Sequence, residues 1–415
     1  MSKNVVIVGG GIIGLSTAYY LVKEGYKVTI VNSTNGFTGA SHINAGYITP
    51  SHFIPLAAPG VITKGIKWMF NSSSPFYVKP RLDIDFIKWS LAFKKSATKA
   101  KVAKAIKPIL DINLLSRDLY EKLKSNADFD FHYQKKGLLM LYKSDKVGEE
   151  EWSIGKKGIE KGLYVEHLSA KEVSNLEPKV NLNIKGGIYY HSDAHMTPSV
   201  FMKEMQSFLL KNGVIFYHNE KVEDFIVENR KVLSIVTNQR TLKAEEVVLA
   251  AGTWSSNLTK KMGLKIPLQA GKGYSINVKS NTNISIPAIL CEAKVAVTPM
   301  QGFTRFAGTM EIGGINEKIN KNRVHAIANA SKKYFEGLEI TSKEIENASC
   351  GLRPCSPDGL PYIGKSKYCK NLTIATGHAM MGWSLGPATG KLVAELLAET
   401  KTSIDIAAFH PDRKF

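Results

Sequence analysis

The sequence predicts an α/β protein in which a parallel-sheet nucleotide domain is interrupted by an α+β unit with an antiparallel or mixed sheet. Three observations carry this. Val5 to Val8 is a short β-branched run of the kind buried in parallel sheets, Ile12 to Lys23 follows with helical spacing, and Val28 to Val31 reads as a second strand. Strand, glycine turn, helix and strand within about thirty residues make a βαβ unit. Far downstream, Glu246 to Ala251 and Leu372 to Ala375 read as further buried strands, the second leading through a glycine-rich loop to a helix over Thr389 to Glu399. Between them the chain is strand-rich and glycine-punctuated over 270–315, as an insertion would be. The implied division assigns 1–60, 195–258 and 345–415 to the nucleotide domain, and 61–194 and 259–344 to a substrate domain.

The remaining elements follow in order. From His52 to about Lys107, Pro55, Pro59, Pro75 and Pro80 break up apolar segments such as Trp68-Met69-Phe70 and Phe86-Ile87-Lys88-Trp89. Gly137 to Tyr142 and Gly187 to Tyr190 read as strands, and Pro198 opens a helix to Lys211 with Thr197 as N-cap. Val214 to Tyr217 is a strand, Val222 to Glu228 and Val232 to Thr237 form a hairpin, and 322–336 is helical. No fixed-period repeat occurs, which excludes solenoids and propellers.

The 415 residues are 44% hydrophobic and 22% charged, which excludes disordered and collagen-like classes. The charge is unusual: 55 Lys+Arg against 36 Asp+Glu gives +19. Nucleic acid, an anionic membrane surface and acidic small molecules are the partners such a surplus suits. Between Asp85 and Asp111 no acid occurs, yet Lys88, Lys94, Lys95, Lys99, Lys101, Lys104 and Lys107 do, either as a solvated helix face or as a membrane or polyanion contact. Four cysteines without CxxC spacing or a metal-type His pair favour a reducing compartment and no metal. The first apolar run is interrupted by glycines and lacks a cleavage site, and no run reaches the roughly 18 apolar residues of a spanning helix. The expectation is a cytoplasmic protein, with any membrane contact peripheral on the cytoplasmic face.

Val5-Val-Ile-Val-Gly9-Gly-Gly11-Ile12-Ile13-Gly14 places GxGxxG after a strand and at the opening of a helix. Gly9 allows the tight turn, Gly11 the close approach of a pyrophosphate to the backbone, and Gly14 the packing of helix on sheet. The free N–H groups at the start of the helix favour phosphate. A glycine turn that only packs a helix closely is the bland alternative. Where an acid would hold the ribose hydroxyls stands Asn32, which can still accept a hydrogen bond.

Several later motifs resemble one family. Asn44-Ala45-Gly46, Ala57-Ala58-Pro59-Gly60-Val61, Ile66-Lys67-Trp68-Met69-Phe70, Lys272-Gly273-Tyr274-Ser275, Gly351-Leu352-Arg353-Pro354 with Pro357-Asp358-Gly359, and Thr376-Gly377-His378 with Gly382-Trp383 run in family order. Together they resemble the FAD-dependent small subunit of bacterial D-amino-acid dehydrogenase, within the glycine oxidase and D-amino-acid oxidase superfamily. The match covers nearly the whole chain, and the segment Asn44 to Phe70 is its narrowest part. The resemblance implies a Rossmann-type FAD-binding domain, with a non-covalent FAD held by Gly9, Gly11, Ile12, Ile13, Gly14, Asn32, Ser41, His42, Asn44, Gly46, Val222, Ala250, Ala251, Gly252, Gly377, Met381, Gly382, Trp383 and Ser384. His42 and Cys350 each stand one residue out of register with the covalent flavin linkages of relatives.

It also implies oxidation of the Cα–N bond of D-amino acids, with electrons passing to a quinone-type acceptor. Close relatives take D-proline and D-hydroxyproline. Arg353 occupies the family's carboxylate-binding position, and a guanidinium fork suits a carboxylate where Lys would be a point charge. An interdomain salt bridge is its bland alternative. Tyr274 is the expected second carboxylate contact and His195 a substrate-side candidate, although either could be a structural core group. An oxygen-using glycine or sarcosine oxidase and a flavin-dependent tRNA-modifying enzyme are the rival enzymes. No aromatic-interleaved basic motif supports the second, so nucleic acid is not an expected partner.

Overall fold

The computed structural model describes residues 3–36, 38–59, 74–79 and 81–415. Strands β1 (Asn4–Val8) and β2 (Lys27–Val31) flank helix α1 (Ile12–Lys23). They pair in parallel with each other and with strands formed far later, β3 (Ile215–Tyr217) beside β2 and β4 (Glu246–Leu249) beside β1. The chain then builds β5 (Gln269–Val278), β6 (Phe303–Ile312) and β7 (Ser349–Cys355) in a second sheet. It returns with β8 (Tyr362–Lys365), antiparallel to β9 (Leu372–Thr376), which pairs in parallel with β4. The first sheet therefore reads β3-β2-β1-β4-β9-β8. Apart from the edge strand β3, each parallel strand is a nearly fully buried run, because helices pack on one face of the sheet and a three-stranded antiparallel unit packs on the other.

The second sheet has nine strands in the order β7-β5-β6, then Val295–Met300, Ala288–Leu290, Leu138–Tyr142, Gly186–Tyr190 and Val165–Ser169, with Phe76–Val78 also paired to β6. It mixes antiparallel and parallel pairs, as an α+β unit does. A hairpin, Val222–Glu228 with Lys231–Thr237, carries a third strand and lies on the nucleotide side. Residues 349–355, grouped by sequence with the last nucleotide segment, hydrogen-bond into the nine-stranded sheet as its edge strand. An edge tolerates Pro354, whose missing N–H would break an interior ladder.

Two helices fill the proline-rich region, α2 (Ile84–Ser96) and the long α3 (Lys99–Lys124). They are capped by the side chains of Asp83 and Thr98. Helices α4 (Pro198–Lys211) and α6 (Gly386–Leu397) pack on α1, while α5 (Lys321–Tyr334) covers β5 and β6. Thr197 is the N-cap residue of α4, but its hydroxyl serves His132 and the Gln301 N–H instead of the helix. The final helix begins three residues before the sequence boundary, with Pro387 in its first turn, where a missing N–H costs nothing. The motif residues Gly60-Val61 and Ile66 to Phe70 lie outside the described residues, as do Trp68-Met69-Phe70 and Pro80 of the sequence reading.

Candidate active site

All parallel strands end at one edge of the first sheet, and β1 lies where the connections diverge to β2 on one side and β4 on the other. In open α/β sheets such a switch point forms a crevice at the C-terminal strand ends. Gly9 sits there with φ +116, and a Cβ on it would stand 2.4 Å from the Ala250 carbonyl oxygen. A Cβ on Gly14 would lie 1.9 Å from the Gly9 oxygen, so both positions exclude a side chain. Among the described residues, a Cβ on Gly11 would meet Ser41 Oγ at 3.1 Å and no other side chain, which leaves the backbone open to a ligand. Gly11 is the N-cap of α1 without a side-chain cap, and the Ile12 N–H is met by Ser41 Oγ at 3.0 Å. Ile13 and Gly14 follow in that first turn. These features fit a pyrophosphate at a helix N-terminus.

Other cofactor candidates converge on the same edge. Asn32 directly follows β2, with its side-chain amide against Gly10 and Thr34. Ala250, Ala251 and Gly252 follow β4, and Gly377 to Ser384 follow β9. Thr253 Oγ1 and His378 Nδ1, each next to one of these glycines, are buried and lack a hydrogen-bond partner among the described residues. Polar atoms of this kind fit a polar ligand lying along the crevice. Val222 opens the hairpin strand, buried and paired with Thr237.

The loop after β2 reaches from this crevice toward the second sheet. His42 Nε2 is 2.7 Å from the Gly36 carbonyl, and burial lowers its pKa. Asn44 Oδ1 accepts the Gly46 N–H, and the Gly46 carbonyl accepts the Met196 N–H. Arg305, in β6 and 4% exposed, donates to the carbonyls of His42 and Asn44 and to Asn277 Oδ1. The sequence reading missed Arg305. Its signal was a lone cation in the strand run Phe303 to Ile312, buried on the face opposite Thr304 and Phe306.

Part of the loop 380–384 is committed elsewhere. The Met381 N–H is bonded to the His378 carbonyl, and Ser384 Oγ donates to Asn113 and accepts from Thr49 N–H. The Trp383 side chain packs in the core against Tyr120 and Phe201. Gly382 lies between them, close to His378.

Arg353 is built by register. In β7 it stands opposite Gly271 of β5, and Gly351 stands opposite Gly273. Paired residues project to the same face, so the guanidinium lies over Gly273, where a Cβ would come within 2.3 Å of both terminal nitrogens. Arg353 Nη1 donates to the Thr309 carbonyl at 2.7 Å. Thr309 has φ +71 and sits at a bulge of β6 opposite Gly273, which turns that carbonyl toward the guanidinium. Among the described residues no carboxylate lies within ion-pair distance of Arg353. Desolvation lowers its pKa, so the fold carries an uncompensated cation there. Met310, Cys355, Ala57 and Ala379 form an apolar group beside it, closed by Trp89 and Phe93 of α2. Trp89 Nε1 donates to the Cys355 carbonyl at 2.9 Å.

The structure does not gather Tyr274 and His195 with Arg353. Strand alternation sends Tyr274 to the opposite face of β5, where its hydroxyl donates to Glu311 Oε2 at 2.8 Å and its ring packs beneath α5. The expected second carboxylate contact is therefore a core tyrosine paired to an acid. His195, 1% exposed, lies in Ala194–Met196 between Tyr47 and Gln134. Burial drives its pKa down to about 3, leaving it neutral.

Comparison with known proteins matches residues 4–396 to the FAD dependent oxidoreductase family, abbreviated DAO. The chain belongs to that family. Among curated relatives of this FAD-dependent oxidoreductase, it is 33% identical over 398 residues to a D-amino acid dehydrogenase of Helicobacter pylori, covering 95% of each chain. It is 30% identical over 426 residues to a D-amino acid dehydrogenase of Bradyrhizobium diazoefficiens, covering 99% of this chain and 98% of the other. Among solved structures it resembles glycine oxidase from Geobacillus kaustophilus, with TM-score 0.78, 22% identity and full coverage of both chains. It also resembles L-proline dehydrogenase from P. horikoshii, with TM-score 0.72, 18% identity, and 99% and 97% covered. Those two likenesses bear on fold alone, and they agree with the α/β architecture of a nucleotide sheet and a mixed second sheet.

Proposed function

We propose that this FAD-dependent oxidoreductase is a D-amino-acid dehydrogenase that oxidises the Cα–N bond of its substrate and passes the electrons to a quinone-type acceptor. The observation that carries the reading is Arg353: a desolvated guanidinium, anchored by the Thr309 carbonyl, without a carboxylate partner among the described residues. A cation so placed is an anion receptor awaiting its partner, and a substrate carboxylate supplies two charge-assisted bonds in the guanidinium plane. The relatives named D-amino acid dehydrogenase, matched along nearly their whole lengths, support the choice among amino-acid substrates.

When bound, non-covalent FAD supplies the hydride acceptor. The chain's own residues do the rest. Arg353 fixes the carboxylate and so the direction of the Cα–H bond, which is a positioning contribution rather than an acid–base one. Met310, Cys355, Ala57 and Ala379 give the substrate side chain an apolar wall, which suits uncharged side chains and the rings of D-proline and D-hydroxyproline. Trp89 and Phe93 help exclude water. The parallel sheet holds the cofactor and the nine-stranded sheet holds the substrate, with Arg305 tying the loop 42–44 between them.

Anaerobic mixing of the yellow holoprotein with a panel of D-amino acids, D-proline, D-hydroxyproline, their L forms, glycine and sarcosine tests this. Bleaching by D forms is expected. Bleaching by glycine or sarcosine alone would place the enzyme with the glycine oxidases instead, and a precipitate that keeps its flavin after acid denaturation would overturn non-covalent binding.

A further inference from the structure

Helix α2 has two apolar faces, and among the described residues only one is packed against the protein. Phe86, Trp89 and Phe93 turn inward, with Trp89 and Phe93 in the group that lines the Arg353 side of the site. On the opposite face Ile84 is 69% exposed, Ile87 44% and Leu91 57%, a spacing of i, i+3 and i+7 that forms one stripe, and Leu82 just before the helix is fully exposed. Isolated exposed apolar residues are ordinary, whereas four large ones in ten residues along one line form a patch.

The cations beside the stripe say what covers it. Lys88, Lys94 and Lys95 flank it on the same helix, exposed to solvent, and Lys99, Lys101 and Lys104 continue on the first turns of α3. The nearest acids are already neutralised: Asp85 is bonded to Lys260 and Asp83 to Arg81. Apolar residues at the centre, lysines on the flanks and no free acid within the helix match an anionic lipid interface, with side chains in the acyl boundary and ammonium groups among the headgroups. A protein partner would instead need a shaped apolar pocket or acids of its own placed against each lysine. Among the described residues no helix is long and apolar enough to cross a membrane, so the contact is interfacial.

We infer that the outer face of α2, with Leu82, is the surface by which the enzyme docks on an anionic bilayer. Resting on the quinone-linked reading above, this deepens it: the helix that roofs the substrate side also faces the lipid, so an acceptor dissolved in the bilayer meets the protein beside the site rather than across it.

The test floats the full-length holoenzyme with vesicles of phosphatidylcholine, with and without phosphatidylglycerol, at low and high salt. Two variants are compared, Ile84→Glu/Ile87→Glu/Leu91→Glu and Lys88→Gln/Lys94→Gln/Lys95→Gln. Flotation should require the anionic lipid, weaken with salt, and fall by about tenfold or more in each variant. Reduction of a water-soluble dye without vesicles should stay at the parent rate in both, which shows that they fold. Flotation indifferent to lipid charge, or unchanged in the stripe variant, overturns the inference. So does a parent dimer that the stripe variant converts to monomer in light scattering, since the stripe would then be a subunit contact. A parent enzyme that floats as expected but is not bleached by D-amino acids would sink the proposed reaction and leave the docking surface standing.

Discussion

Arg353 and Gly273 form a single device. The glycine leaves room for the guanidinium, and the guanidinium supplies the charge. Replacing Arg353 by Lys keeps the cation and loses the fork, so KM for a D-amino acid should rise by roughly 10- to 100-fold with FAD content unchanged. A Cβ at position 273 would stand 2.3 Å from the guanidinium nitrogens, so Gly273→Ala must push the guanidinium off its place and should produce the same KM signature without altering any charge. Steady-state kinetics on both variants, with flavin absorbance as the control, decide this. An unchanged KM in either would remove Arg353 from the substrate. Arg305 makes a different prediction. Arg305→Met would leave the His42 and Asn44 carbonyls without their donor in a buried place, a cost of about 2–4 kcal/mol. Lower urea midpoints and faster flavin release should appear together, and loss of stability with flavin retention intact would show that Arg305 does not support the cofactor loop.

Among the elements, legibility followed locality. Ile12 to Lys23 has the predicted bounds, because β-branched strand, glycine turn and helical period are all decided within one short stretch. The hairpin after Val222 was legible for the same reason. Tyr274 was not, since a motif such as Lys272-Gly273-Tyr274-Ser275 gives no face until its partner strand is known. The register Gly271 to Arg353 then sends odd and even positions of β5 to opposite sides. Strand β7 was hidden by Gly351 and Pro354, residue types that weaken a strand interior but are admissible on an edge. The roof over the site was hidden as well: Trp89 lay in a segment read for its charge, and its tie to Arg353's strand, a bond from its indole to the Cys355 carbonyl and packing against Cys355, depends on long-range contacts.

For the whole molecule, burial of histidines sets the response to acid. His195 and His378 are pushed down to about 3 and His52 to about 4, each chiefly by desolvation. In the unfolded chain they take up protons as pH falls through about 6.5, while the folded protein does not until pH 3–4, so stability is lost with acid across that window. Asp193, raised to about 7 by burial, works in the opposite sense between about pH 7 and 4 and offsets part of the loss. The net slope should be on the order of 1–3 kcal/mol per pH unit below about pH 6.5, and it should flatten in His195→Asn. Thermal melting from pH 7.5 to 5 checks this, and a level profile for the parent would contradict it. The first sheet also has a temporal side. Val5 to Val8 are synthesised long before one neighbour, β4, which lies some 240 positions later in the register Val5 to Glu246, and before β9, later still. Closure over so long a loop is slow, and a nascent chain must hold an unsatisfied valine-rich edge until β4 has left the ribosome. Substitutions in β4 or β9 should therefore reduce soluble yield during synthesis before they change the melting of the finished enzyme.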